Sequence, residues 1–146
     1  MSRSGYTDDY DDDQWAMIRW RGAVNSAIRG ARGQAFLREL AAALDAMPEK
    51  ELTAGAFQTA DGEFCTLGVV AAARGADVSS VDPDDDYGCR EQIAALLDIA
   101  PALAAEIMWE NDEAIAAWEK NKTNADRWAY MRKWVGNQIR EEASNE

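Results

Sequence analysis

The chain contains no histidine. Imidazole is the usual side chain both for catalysis near neutrality and for transition-metal ligation. Its absence excludes Ser-His and Cys-His hydrolases, and no paired-carboxylate motif stands out from the many acids to replace it, so a non-enzymatic protein is expected. Cysteine is nearly absent too: Cys65 and Cys89 are the only two. They read as buried thiols in a reducing compartment rather than as a disulfide framework. No basic region followed by an apolar run and a cleavage site opens the chain. No apolar stretch reaches the roughly 18 residues that span a bilayer, and a strongly acidic surface would be repelled by anionic lipid head groups. These absences point to a cytoplasmic protein with no membrane role.

Bases are few in the middle of the chain. From Glu39 to Asp126 there are 19 Asp and Glu against 5 Lys and Arg, a net of −14, compared with −12 for all 146 residues. The basic residues collect just before this belt. Between Gln14 and Arg38 stand Arg19, Arg21, Arg29, Arg32 and Arg38 with no acid, directly after the run Asp8, Asp9, Asp11, Asp12, Asp13. Such polarity governs association and partner choice rather than fold. An apolar fraction of 47% with six Trp argues that the chain nevertheless folds. At this length one domain is the default.

The apolar spacing predicts helices. Residues 1–13 have no periodic face and read as a flexible, disordered acidic tail, leaving 14–142 as a single helical domain. Asp13 stands as an N-cap before Trp15, Ile18, Trp20, Val24 and Ile28, predicting a helix over 14–29. Phe36, Leu37, Leu40, Ala43, Leu44 and Met47 form a second stripe that Pro48 ends. Residues 49–58 fit either a short helix or a packed loop. The stretch Asp61 to Gly75 predicts an Ala-rich helix with Gly75 at its end. Ile93, Leu96 and Leu97 mark the next helix, over 87–97, and Pro101 starts another that Asn111-Asp112 ends or bends before Ala114, Ile115 and Trp118. Thr123 to Asp126 is a capping box in front of Trp128, Met131, Val135 and Ile139. With no period-two alternation, the class is all-α, a compact bundle of about six or seven short helices.

Three tempting motifs fail on their chemistry. Asp82, Asp84 and Asp86 alternate like the first half of a calcium loop. Tyr87 and Ile93, however, occupy the positions that require Gly and a bidentate Glu, so no metal and no cofactor is expected. Cys65–Val78 and Ile93–Glu110 imitate helix-turn-helix units, yet the second carries Asp98, Glu106 and Glu110 with no base to meet phosphate. Arg19, Arg29 and Arg32 fit a nucleic-acid surface, but they fit equally as partners for the chain's own acids. Trp15 and Trp20, and likewise Trp128 and Trp134, diverge on their helices, so one of each pair is expected at the surface, where aromatics serve as contact anchors.

The segments Gly33–Pro48, Asp61–Gly68, Ala73–Asp77 and Ala104–Asp112 resemble small uncharacterised proteins of phages and bacterial prophages. The likeness covers most of residues 19–139; the Asp-rich tail and Asp84–Asp86 look like additions to it. It implies a bacterial host cell and brings no activity or site residue. In a broad sense, small acidic helical phage proteins resemble anti-defence inhibitors of the anti-CRISPR type, some of which imitate nucleic-acid charge. The resulting expectation is a binding protein that blocks a basic nucleic-acid-binding surface by acidic mimicry or steric occlusion. Its protein partner would be a CRISPR effector or another defence complex, with no direct nucleic acid bound. The expected contact residues are Asp82, Asp84, Asp85, Asp86, Glu106, Glu110, Asp112 and Glu113, with Trp109 and Trp118 as anchors. The alternatives are a nucleic-acid-binding regulator using Arg19–Arg38 and a phage structural or assembly protein joined through its aromatic faces; a homodimer is compatible with the inhibitor reading.

Overall fold

A computed structural model describes residues 14–79, 81–82, 88–114 and 122–140. The tail 1–13, the acidic run 83–87, Ile115 and Trp118, and residues 141–142 lie outside them. Among the described residues the fold is all-α. The helices are α1 (Gln14–Arg29), α2 (Ala31–Asp45), α3 (Thr66–Ala73), α4 (Cys89–Leu97), α5 (Pro101–Trp109, continued by a π-helical turn over Glu110–Ala114) and α6 (Asn124–Gln138).

Two helices organise the core. α2 packs against α1, α3 and α6, burying Phe36, Leu37, Leu40 and Leu44, while α5 packs against α1, α3 and α4. Every residue from Ala102 to Met108 is buried, as expected of a helix that is apolar nearly all round. Its alanines keep neighbouring backbones close. Each fully buried Leu or Ile contributes about 1.5–3 kcal/mol of transfer free energy, and Leu37, Leu40, Leu44, Leu52, Leu67, Ile93, Leu97, Leu103 and Ile107 are all of this kind. Cys65 and Cys89 are buried and form no disulfide. Gln34, 6% exposed, ties helix ends together: its amide donates to the carbonyls of Ile28 (2.7 Å) and Gln138 (3.0 Å) and accepts from the Arg140 N–H (2.8 Å).

Helix ends follow local chemistry. The Thr123–Asp126 capping box closes reciprocally, with the Asp126 N–H donating to Thr123 Oγ1 at 3.1 Å and the Thr123 N–H to Asp126 Oδ2 at 3.0 Å. α3 ends in a Schellman arrangement in which Gly75 and Ala76 donate to Ala72 and Ala71. Asp98 takes the same left-handed role after α4 (φ 57°), and α5 then leaves at 112° to α4. That corner has helix-turn-helix geometry, but burial of α5 leaves no recognition helix for a groove. No single described helix is long and apolar enough to cross a membrane.

One predicted element is corrected. The helix expected over Asp61–Gly75 begins only at Thr66, and the chain before it is a small hairpin-like turn. Gln58 bridges Phe64, the Thr59 N–H donates to the Glu63 carbonyl (2.8 Å), and Gly62 turns the chain at φ +83°. Gly68 explains how this turn sits on α3, since a Cβ there would lie 1.8 Å from the Phe57 carbonyl oxygen. The ambiguous residues 49–58 are loop, with Leu52 and Phe57 buried.

Candidate functional site

The surface acids divide by their partners. Arg74 grips Glu39 with two bonds of 2.6 and 2.7 Å, and Arg132 grips Asp45 at 2.8 and 3.0 Å; these guanidinium bonds hold both carboxyls below their ordinary pKa. Arg32 reaches Asp98 at 3.5 Å and Arg90 reaches Glu91 at 3.6 Å. Of the three arginines expected to pair with the acids, Arg32 does so; among the described residues no ion pair is seen for Arg19 or Arg29.

Four exposed carboxylates escape this neutralisation. Glu49 and Glu51 on the arm after α2, and Asp61 and Glu63 on the hairpin tip, rim one cleft of about 340 Å³ whose other walls are Met47, Pro48, Gly62 and Phe64. Among the described residues none of the four carboxylates forms a salt bridge. Lys50 stands between two of them in sequence, yet its ammonium donates to the carbonyls of Asp45 (2.9 Å) and Met47 (2.8 Å) and lies 5.4 Å from the Trp128 ring. Among the described residues the Glu63 carboxylate accepts from a neutral donor, Asn124 Nδ2, at 3.1 Å.

Backbone bonds fix both arms. The Leu52 N–H donates to the Asn124 carbonyl (3.0 Å) and the Thr53 N–H to the Phe64 carbonyl (2.8 Å). The cleft is therefore a preset concave array of negative charge with an apolar wall. Like charges about 4 Å apart in water repel by roughly 1 kcal/mol, a repulsion that an entering cation reverses. Among the described residues no three acids or thiols converge closely enough to hold a metal ion.

A second acidic group lies inside the protein. Glu106 and Glu110, one turn apart where α5 passes into the π turn, are 4% and 8% exposed, which corrects the expectation that they face a partner. Arg21 of α1 donates to Glu106 at 2.8 Å, and the Tyr130 hydroxyl of α6 donates to Glu110 Oε1 at 2.5 Å. Burial, with the neighbouring charge and hydrogen bond of Glu106, pushes the Glu110 carboxyl up to about 7 against the opposing Tyr130 bond. Burial and the Glu110 bond raise the Tyr130 hydroxyl as well.

The π turn also carries a polar hub, Asn111 and Asp112. Asn111 accepts from the Thr66 N–H (3.1 Å) and hydroxyl (2.7 Å) and donates to the Thr53 carbonyl (3.0 Å). Its own carbonyl accepts from Arg127. Asp112 accepts from the Gly55 N–H at 3.1 Å. It is half-buried and ties the loop at Gly55 to the π turn.

The remaining expected contacts are dispersed. Asp82 is exposed, Glu113 and Trp109 are half-buried, and Asp84, Asp85, Asp86 and Trp118 lie outside the described residues. Trp15 is 65% exposed while Trp20 packs under Arg90, so the first aromatic pair divides as expected. Trp128 and Trp134 are both half-buried, so the second does not. Sequence reasoning passed over Glu49, Glu51, Asp61 and Glu63. The available signal was four acids on two Gly- and Pro-marked connections with a single lysine among them. Comparison of the chain with protein-family models, with curated proteins and with solved structures gives no match.

Proposed function

We propose that this protein is a non-enzymatic binding protein whose acidic cleft engages a basic surface of a protein partner, in the manner of an anti-defence inhibitor that occupies a nucleic-acid channel. The observation that supports this reading is the unneutralised quartet Glu49, Glu51, Asp61 and Glu63 around one preset cleft, in a protein whose other described surface acids include four held by its own arginines. A channel evolved for phosphates presents lysine and arginine side chains. The cleft offers carboxylates for their charge, Phe64 and Met47 for their aliphatic stems, and a field that steers encounter.

The test is competition. The protein is titrated against DNA binding by a purified CRISPR effector across a salt series, alongside a variant carrying Glu49→Lys, Glu51→Lys, Asp61→Lys and Glu63→Lys. Salt-sensitive inhibition that the variant lacks supports the reading; equal inhibition by the folded variant overturns the role of the cleft.

One observation favours a second reading, a nucleic-acid-binding regulator: Arg19 and Arg29 are exposed on α1 with no described ion pair. Direct DNA binding that weakens with salt and is lost in the Arg19→Ala, Arg29→Ala variant would support that reading over the first.

A further inference from the structure

The buried Glu106–Glu110 pair has no role in the cleft's recognition chemistry, yet it sits at the junction of three helices. We propose that the two carboxyls hold one proton between them and act as a proton-operated latch on α6, so that losing the proton loosens the N-terminal half of α6 and with it the acidic cleft. The inference adds a mode of regulation to the cleft, and the reading of the cleft as a binding site is the only part that rests on the proposed function.

The geometry carries the argument. Two carboxyls, each more than nine-tenths buried and neighbours on one helix face, lie where Arg21 of α1 bonds Glu106, and α4, packed on the same helix, brings Arg90 over the Trp20 ring of α1. From α6 the facing titratable groups are Tyr130, bonded to Glu110, and Arg127, whose guanidinium donates to the Asn111 carbonyl. On the π turn, Asp112 is directed to the Gly55 N–H and the Asn111 amide. The loop and α3 residues at this junction, Thr53, Gly55 and Thr66, do not titrate. With one proton, Glu110 donates to Glu106 and accepts from Tyr130, and the buried charge balances Arg21. Without it, two buried anions stand side by side, a state of high energy in a medium of low dielectric. Separating them requires Glu110 to move, and Tyr130 moves with it.

That motion reaches the cleft along α6. Asn124, at the start of this helix and less than two turns from Tyr130, accepts from the Leu52 N–H and donates to Glu63 Oε2. Both arms of the cleft therefore hang on the end of the helix that the latch holds. The raised carboxyl of Glu110 places the transition near neutral pH.

The experiment is amide hydrogen exchange of the whole protein from about pH 5.5 to about pH 8.5, corrected for intrinsic rates, reading α6 and the Leu52 N–H. Expected is a fall in protection of about tenfold or more between about pH 5.5 and about pH 7, levelling off above that, as one unit or more of pKa difference implies, and no fall in Glu110→Gln, whose amide donates to Glu106 and accepts from Tyr130 permanently. Flat protection in the native protein, or an unchanged fall in Glu110→Gln, overturns the latch. If Glu110→Gln does not fold, Tyr130→Phe decides: with the bond from Glu110 to α6 removed, the pH-dependent fall in α6 protection should be lost, and an unchanged fall overturns the proposal. Glu49→Gln, Glu51→Gln, Asp61→Asn and Glu63→Gln together keep the pH response while removing the cleft's charge. Failure of the cleft as a binding site thus leaves this readout intact.

Discussion

Glu110 and Glu63 are the same residue type in the same acidic belt, yet they have opposite surroundings. Glu63 stands in water on a hairpin tip among three other carboxylates, with solvent screening the repulsion and no cation bonded to it among the described residues. Glu110 lies inside, held by a tyrosine and beside a second carboxyl, where burial first and the neighbouring charge second raise its carboxyl to about 7. The contrast shows that a dense run of acids is not one functional unit. Water permits an exposed cluster to remain charged and available to a cation, whereas burial converts a pair into a structural element that responds to pH.

The comparison can be broken most strongly by removing Arg21. Arg21→Ala leaves Glu106 buried beside Glu110 without its arginine, and, with the arginine side chain itself 44% exposed, chemical denaturation should show a loss of about 2–3 kcal/mol. A loss below about 1 kcal/mol would mean that water already reaches the pair. Next in size is Gly68→Ala, which drives a methyl group into the Phe57 carbonyl. It should cost about 1–3 kcal/mol and disturb the hairpin while leaving Tyr130 bonded to Glu110, as separate NMR signals from the two regions would show.

The pH dependence sharpens the contrast further. Below the ordinary carboxyl value of 4.5, Glu110 is protonated in both folded and unfolded chains. Between 4.5 and about 7 the unfolded chain ionises first, so this group's contribution to stability falls as pH rises and levels off above about 7. After allowance for residual screening, the fall should be on the order of 2 kcal/mol. Glu110→Gln should abolish it in denaturation measured across that range. The smallest stability effect belongs to the cleft. Neutralising Glu49, Glu51, Asp61 and Glu63 should change stability by no more than about 0.5 kcal/mol, with a slight gain if repulsion is relieved, while salt-dependent binding to a basic protein disappears in a titration.

Legibility in the sequence followed locality. The stripes of α1, α2 and α6, the Thr123–Asp126 box and the Gly75 stop were readable because each depends on residues within a few positions of one another. The hairpin before α3 was not, since its pairing amounts to one bridge, Gln58 with Phe64, too short for alternation to register. The acidic start of Asp61–Gly-Glu63 then imitated a helix N-terminus. Glu106 and Glu110 looked like surface acids because nothing near them in sequence announces Arg21, 85 residues away, or Tyr130, 20 residues on.

The sequence by itself determined the helical class, the places where helices stop, the burial of both thiols and the excess of acid over base, because period, caps, hydrophobicity and net charge are properties of short stretches or simple sums. Tertiary structure decided which acids are neutralised, which are buried and which stand together in water. Electrostatic energy depends on distance and on exposure to solvent, and both are set only when segments far apart in the chain pack against one another.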